Sequence, residues 1–134
     1  YADRAKTLSA KTYDVSEYLH QANLPLTAKQ PSQAIAWHPP CSLQHGQKIT
    51  GAVEELLEGA GYNLVPVADS HHCCGSAGTY SVLQYERSQA LRQLKLDSLL
   101  EADPEVIVTA NVGCQSHLAA GTSRPVLHWI EMLK

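Results

Sequence analysis

The stretch Glu105-Val106-Ile107-Val108-Thr109, running directly into Ala110-Asn111-Val112-Gly113-Cys114, decides how this chain folds. Four successive β-branched residues leave no polar side for water, the pattern of a strand buried on both faces in a parallel sheet. Such a strand needs helices above and below it. The flanks provide them. Upstream, Ser81 to about Leu100 carries Leu83, Leu91, Leu94, Leu96, Leu99 and Leu100, a helical stretch with a break expected near Tyr85 and an end before Asp103-Pro104. Downstream, Gln115 to Ala120 reads as a helix closed by Gly121, Pro125-Val126-Leu127 as another strand, and His128 to Leu133 as a closing helix.

The first half alternates in the same way. Ala34-Ile35-Ala36-Trp37 is a short strand that His38-Pro39-Pro40-Cys41 stops, because two prolines cannot continue a central strand. Gln47 to Glu58 fits a helix ended by Gly59 and Gly61, and Asn63 to Val67 a second strand that Pro66 assigns to an edge. Residues 1 to about 23 place Ala5, Leu8, Thr12, Val15, Leu19 and Ala22 at helical spacing, so one amphipathic helix is expected there, with a loop to Gln33. Strands alternating with helices imply right-handed crossovers. The fold class is α/β: a three-layer, Rossmann-like parallel sheet of about four strands with helices on both faces. Residues 1–134 form a single domain, 1–33 being an N-terminal helix and linker and 34–134 the core. The chain begins at Tyr1 without Met and is expected to be a fragment of a larger subunit.

Composition narrows the function. Phenylalanine is absent and the 44% apolar content is mainly Ala, Leu and Val, which suits an aliphatic layered core. A net charge of −3 with no Lys/Arg run argues against a nucleic-acid surface. With no run of apolar residues long enough to span a bilayer and no leader pattern, the chain reads as cytoplasmic. In a reducing compartment, four cysteines point to a metal or redox site rather than to disulfides.

Their positions sharpen this. In Ser70-His71-His72-Cys73-Cys74-Gly75-Ser76-Ala77-Gly78 the two adjacent thiols can serve one centre only on an irregular backbone, which the glycines permit. Cys41 follows the first strand, Cys73 and Cys74 the second, and Cys114 the third. In parallel α/β sheets these loops gather at one edge, where ligands bind. Any one of the thiols could be a small core residue. All four at strand ends argue instead for a soft or borderline metal, either iron–sulfur or zinc. His117, three residues after Cys114, is a further candidate ligand, its alternative being support for the site from outside the ligand set. His71 and His72 read as hydrogen-bonding residues, His38 as a strand-end residue and His20 as a helix-surface residue.

Cys41, then Cys73-Cys74-Gly75 after 31 intervening residues, then Cys114 after 38 more, resembles the CCG cysteine-rich domain found in heterodisulfide reductases. The stretches His72 to Ser81, Ala110 to Gln115 and His128-Trp129-Ile130-Glu131 are more narrowly similar to the C-terminal part of glycolate oxidase iron–sulfur subunits. This resemblance implies a redox domain that binds a 4Fe-4S type cluster through Cys41, Cys73, Cys74 and Cys114. It would belong to an electron-transfer subunit of a flavin-dependent 2-hydroxy-acid oxidase. Its partners would be the flavin-containing and other subunits and the remainder of its own subunit, in a complex at the inner face of the membrane. The fragment alone would be inactive, and its cluster prone to loss in air. His117 stands where relatives with the full motif carry a further cysteine. That departure keeps open a second reading, a zinc-binding or metal-free domain that holds the oxidase subunits together.

Overall fold

The structure is a computed structural model describing residues 1–134. Four parallel strands, β1 (Ala34–His38), β2 (Asn63–Leu64), β3 (Val106–Thr109) and β4 (Val126–His128), form one sheet in the order β2-β1-β3-β4. The helices are α1 (Ala2–Ser9), α2 (Val15–Ala22), α3 (Ala52–Ala60), α4 (Tyr80–Leu83), α5 (Tyr85–Leu100) and α6 (Val112–Ala119). A π-helical turn at Ser42–Gln47 and a 3-10 turn at Trp129–Met132 complete the set. No helix is long and apolar enough to cross a membrane. The expected three-layer α/β architecture is the one observed, and its order puts the all-β-branched β3 at the centre.

Alternation along the strands divides the core in two. Ile35, Trp37, Val106 and Val108 face Val53, Leu57, Trp129 and Met132 on one side of the sheet. Ala36 and Ile107 face Leu96, Leu99 and Leu118 on the other, in a cluster that also contains Cys74 and Cys114. Burying a leucine such as Leu57, Leu99 or Leu118 in these layers stabilises the fold by about 1.5–3 kcal/mol. The N-terminal linker is tied to the chain end: Thr27 and Lys134 exchange backbone hydrogen bonds, and the buried Tyr62 hydroxyl donates to the Met132 carbonyl at 2.6 Å.

Several boundaries differ from expectation: the helix expected from Gln47 begins at Ala52 after the π-helical turn, the closing helix is a 3-10 turn, and three others have a clear local reason. The first 23 residues make two helices, because Asp14 caps a new one: its carboxylate accepts from the Ser16 amide at 2.9 Å while Glu17 accepts from the Asp14 amide at 3.0 Å. The second strand stops at Leu64, before Pro66. Helix α6 starts at Val112 rather than Gln115, since the Asn111 side chain accepts from the Gly113 and Cys114 amides.

Candidate metal centre

The short β2 delivers the chain into an irregular loop, residues 65 to 79, that α5 holds at both ends. Lys95, buried at 2% exposure, donates from Nζ to the Asp69 and Ser70 carbonyls at 3.0 and 2.9 Å. Seven residues earlier, the buried Ser88 hydroxyl donates to the Gly75 carbonyl at 2.8 Å. Gly75 has φ +91°, and a Cβ there would lie 2.6 Å from the Ser88 carbonyl oxygen, so only glycine fits. Cys73 and Cys74 sit between these two anchors, and the Gly75 amide donates to the Cys73 sulfur at 3.3 Å.

The loop geometry turns the adjacent thiols different ways without separating them from the site. Cys74 is buried and faces Cys114, which enters from the first turn of α6 and is also buried. Cys73 is half-buried and lies within hydrogen-bonding reach of Cys41, which is exposed at the start of the π-helical turn after Pro39-Pro40. All four thiols are free. They occupy one edge of the sheet, the carboxyl ends of β1 and β3 and the loop after β2.

The thiol electrostatics are uneven. Cys74 is pushed down to about 3, chiefly by the neighbouring Cys114 thiol, with His38 and the Ser76 amide adding to the effect against the cost of burial. The same pairing pushes Cys114 up, reinforced by burial. Burial is also the main reason that Cys73 is raised. Lys95 is pushed down by burial and drawn back by the sulfurs of Cys74 and Cys73. One buried thiolate, flanked by further thiols and a buried cation, is suited to binding a soft or borderline metal.

His38 is not among the residues that motif spacing marks as ligands, yet the structure puts it here. Its ring is 1% exposed, and one ring nitrogen together with the sulfurs of Cys74 and Cys114 forms a set whose members all lie within 4.8 Å of one another. Neither ring nitrogen meets hydrogen-bond geometry with any protein atom, although the ring is close enough to favour the Cys74 thiolate. The available signal was parity: His38 is two residues from Ala36 and shares its face of β1. An unpartnered buried imidazole beside two thiols fits a bound metal, since burying polar groups without a partner is costly.

His117 is placed differently. Its Nε2 is 3.2 Å from the Ser88 hydroxyl, which itself holds Gly75, so this ring supports the two-thiol loop through α5. His71 and His72 are exposed, with rings 4.3 Å apart, beside Asp69. A surface cavity of about 400 Å³ lies away from all of this chemistry, between α2 and α3, and is lined by Leu19, Leu24, Leu56 and the exposed His20–Glu55 pair. It offers no convergent buried donors, and the thiol cluster is the better site.

Comparison with known proteins identifies the family. The family model described as "CCG: Cysteine-rich domain" matches residues 35–119. The "Glycolate oxidase iron-sulfur subunit" of Escherichia coli is 44% identical over the whole chain, which spans 33% of that protein. "Lactate utilization protein A" of an Exiguobacterium species is 31% identical over 97% of the chain and 56% of the relative. The "Probable glycolate oxidase iron-sulfur subunit" of Bacillus subtilis is 30% identical over 92% of the chain and 29% of the relative. The chain thus spans between about a third and just over half the length of these relatives.

Proposed function

Because this chain belongs to the CCG cysteine-rich domain family, we propose that it binds a four-iron iron–sulfur cluster through Cys41, Cys73, Cys74 and Cys114. It serves as a redox domain in an electron-transfer subunit of a flavin-dependent oxidase of glycolate or a related 2-hydroxy acid. The names of the E. coli and B. subtilis relatives support the iron–sulfur assignment, and those of the lactate utilization proteins the substrate class. Its partners are the flavin-containing subunits and the rest of its own subunit, in a cytoplasmic complex held peripherally at the inner face of the membrane. Residues 1–33 serve as two helices and a linker, and 34–134 as the binding core.

The observation that carries the reading is the gathering of the thiols at one sheet edge, with Cys74 against Cys114 and Cys73 beside Cys41. An iron–sulfur cluster supplies reversible one-electron transfer when bound. The chain's own residues prepare for it. Cys114, His38 and the Ser76 amide favour the thiolate form of Cys74, and the sulfurs of Cys74 and Cys73 in turn favour the charged form of Lys95 against the effect of burial. The apolar layer of Ile107, Leu96 and Leu118 keeps water from the inner side. Cys41 and Cys73 leave the outer side accessible to an electron partner.

The test is anaerobic purification of the intact subunit, with iron, sulfide and zinc analysis and a visible spectrum before and after dithionite. Iron and sulfide bound through these cysteines, with absorption that bleaches on reduction, is the expected result. One zinc and a featureless spectrum would replace it with the structural reading. A specific observation favours that second reading: donors within 4.8 Å of one another match a single ion, whose ligands at about 2.0–2.3 Å lie across one small sphere. A zinc site of this kind would staple β1, the two-thiol loop and α6, and the domain would then serve assembly of the oxidase.

A further inference from the structure

We propose that His38 is the imidazole ligand of this metal centre and that His117 is not. The inference rests on the metal-binding reading above and deepens it by naming a donor that the cysteine motif does not contain.

The chain has seven histidines. His20 pairs with Glu55 on the surface, and His128 uses Nδ1 to cap the closing 3-10 turn. The His45 ring contacts the His71 carbonyl at 3.4 Å, while His71 and His72 stand exposed. His117 spends Nε2 on Ser88. His38 alone is fully buried with both ring nitrogens free of protein partners. Leaving such a group unpaired is unfavourable, and a metal bond would remove that cost.

Backbone geometry aims the ring. The parity of β1 puts His38 on the face of Ala36, the face that holds Cys74 and Cys114, and Pro39 fixes the chain beyond it. Its register partner on β3 is Thr109, which shares the face of Ile107 and is likewise buried with an unpartnered Oγ1. Three unpaired polar atoms thus stand side by side on the sheet, against the two buried thiols. A rigid strand position of this kind holds a ligand more accurately than the exposed loop histidines could.

The experiment uses the full chain, loaded anaerobically in parallel with Co(II) and with ferrous iron plus sulfide, and pulsed EPR to detect directly coordinated nitrogen. Wild type should show thiolate-to-metal charge transfer and one coordinated imidazole. His38→Ala should lose the nitrogen signal and weaken Co(II) binding roughly 100-fold, with partial recovery on adding free imidazole. His117→Ala should keep the signal. His38→Leu fills the same space without a polar atom; its metal-free form should melt no lower than wild type while still losing the nitrogen signal. A nitrogen signal that survives in His38→Leu, or one that disappears in His117→Ala, would overturn the assignment. Failure of wild type to bind either probe through thiolates would overturn the metal reading itself, and with it this proposal.

Discussion

Ser88 and Lys95 stand two turns apart on one face of α5 and grip opposite ends of the loop that presents Cys73 and Cys74, the first through the Gly75 carbonyl and the second through the carbonyls of Asp69 and Ser70. The helix acts as a splint. A loop with irregular backbone and little apolar burial of its own would otherwise open locally at small cost.

Lys95→Met should therefore loosen the loop while leaving the core intact. Three donors disappear, the carbonyls of Asp69 and Ser70 lose a charged partner, and the expected loss is about 1 kcal/mol in urea unfolding of the metal-free chain. Amide hydrogen exchange should accelerate over residues 69–75 and not in α3. Lys95→Arg should restore part of the protection. Unchanged exchange in the methionine variant would show that the loop does not depend on this contact.

Gly75 and Gly78 make a paired test of backbone against space. Both have positive φ, at +91° and +56°, but a Cβ at Gly75 would collide with the Ser88 carbonyl whereas one at Gly78 meets nothing within 4 Å. Gly78→Ala should cost about 1 kcal/mol, the strain of a left-handed residue. Gly75→Ala adds a steric clash to that strain and should cost about 2–4 kcal/mol, with loss of metal retention. Equal effects in denaturant titrations would mean that the contact with α5 relaxes freely.

How much of this was legible follows from which forces act locally. The β-branched run at Val106–Thr109 has one structural solution, so the strand, the parallel sheet and the placing of the thiols after strands at one edge could be read directly. His38 could not be read the same way. Its parity was available, but which face of β1 meets the thiols is decided by where α5 and α6 pack. Prolines 39 and 40 also made it look like a stop signal. The division between α1 and α2 was written as Asp14-x-x-Glu17 and was masked by apolar spacing that runs across it. His117 had the right spacing from Cys114, but the helical turn points it at Ser88.

The buried thiol pair predicts a pH dependence for the metal-free chain. Cys74 ionises at about 3 in the folded chain against 9.0 in the unfolded reference, because the Cys114 S–H and, less strongly, His38 and the Ser76 amide favour its thiolate. A depressed pKa contributes stability that is complete above the unfolded value and lost as pH falls towards the folded one. Cys114 is shifted the opposite way, so its contribution is complete below the unfolded value and declines above it. The urea midpoint should then rise between about pH 3 and about pH 9 and fall again in stronger alkali. Ultraviolet thiolate absorbance should show close to one thiolate per chain at mildly acidic pH. Cys74→Ser should abolish that absorbance, and its persistence would assign the thiolate to another cysteine.

Cys41 separates the two occupants of the site. It is the exposed member of the set and lies beside Cys73, outside the compact group of His38, Cys74 and Cys114. A cluster spreads over several metal atoms and needs thiolates on more than one side, so Cys41→Ser should lower bound iron and sulfide about as strongly as Cys73→Ser, Cys74→Ser or Cys114→Ser. A single tetrahedral zinc needs only four donors: His38, Cys74 and Cys114 lie close enough together to supply three, and on this reading Cys73, next in sequence to Cys74, completes the four. The expected result is loss of iron, sulfide and visible absorption in all four serine variants after identical anaerobic preparation. Retention of one zinc per chain in Cys41→Ser, with loss in the other three, would instead identify a structural ion clamped between the sheet and α6.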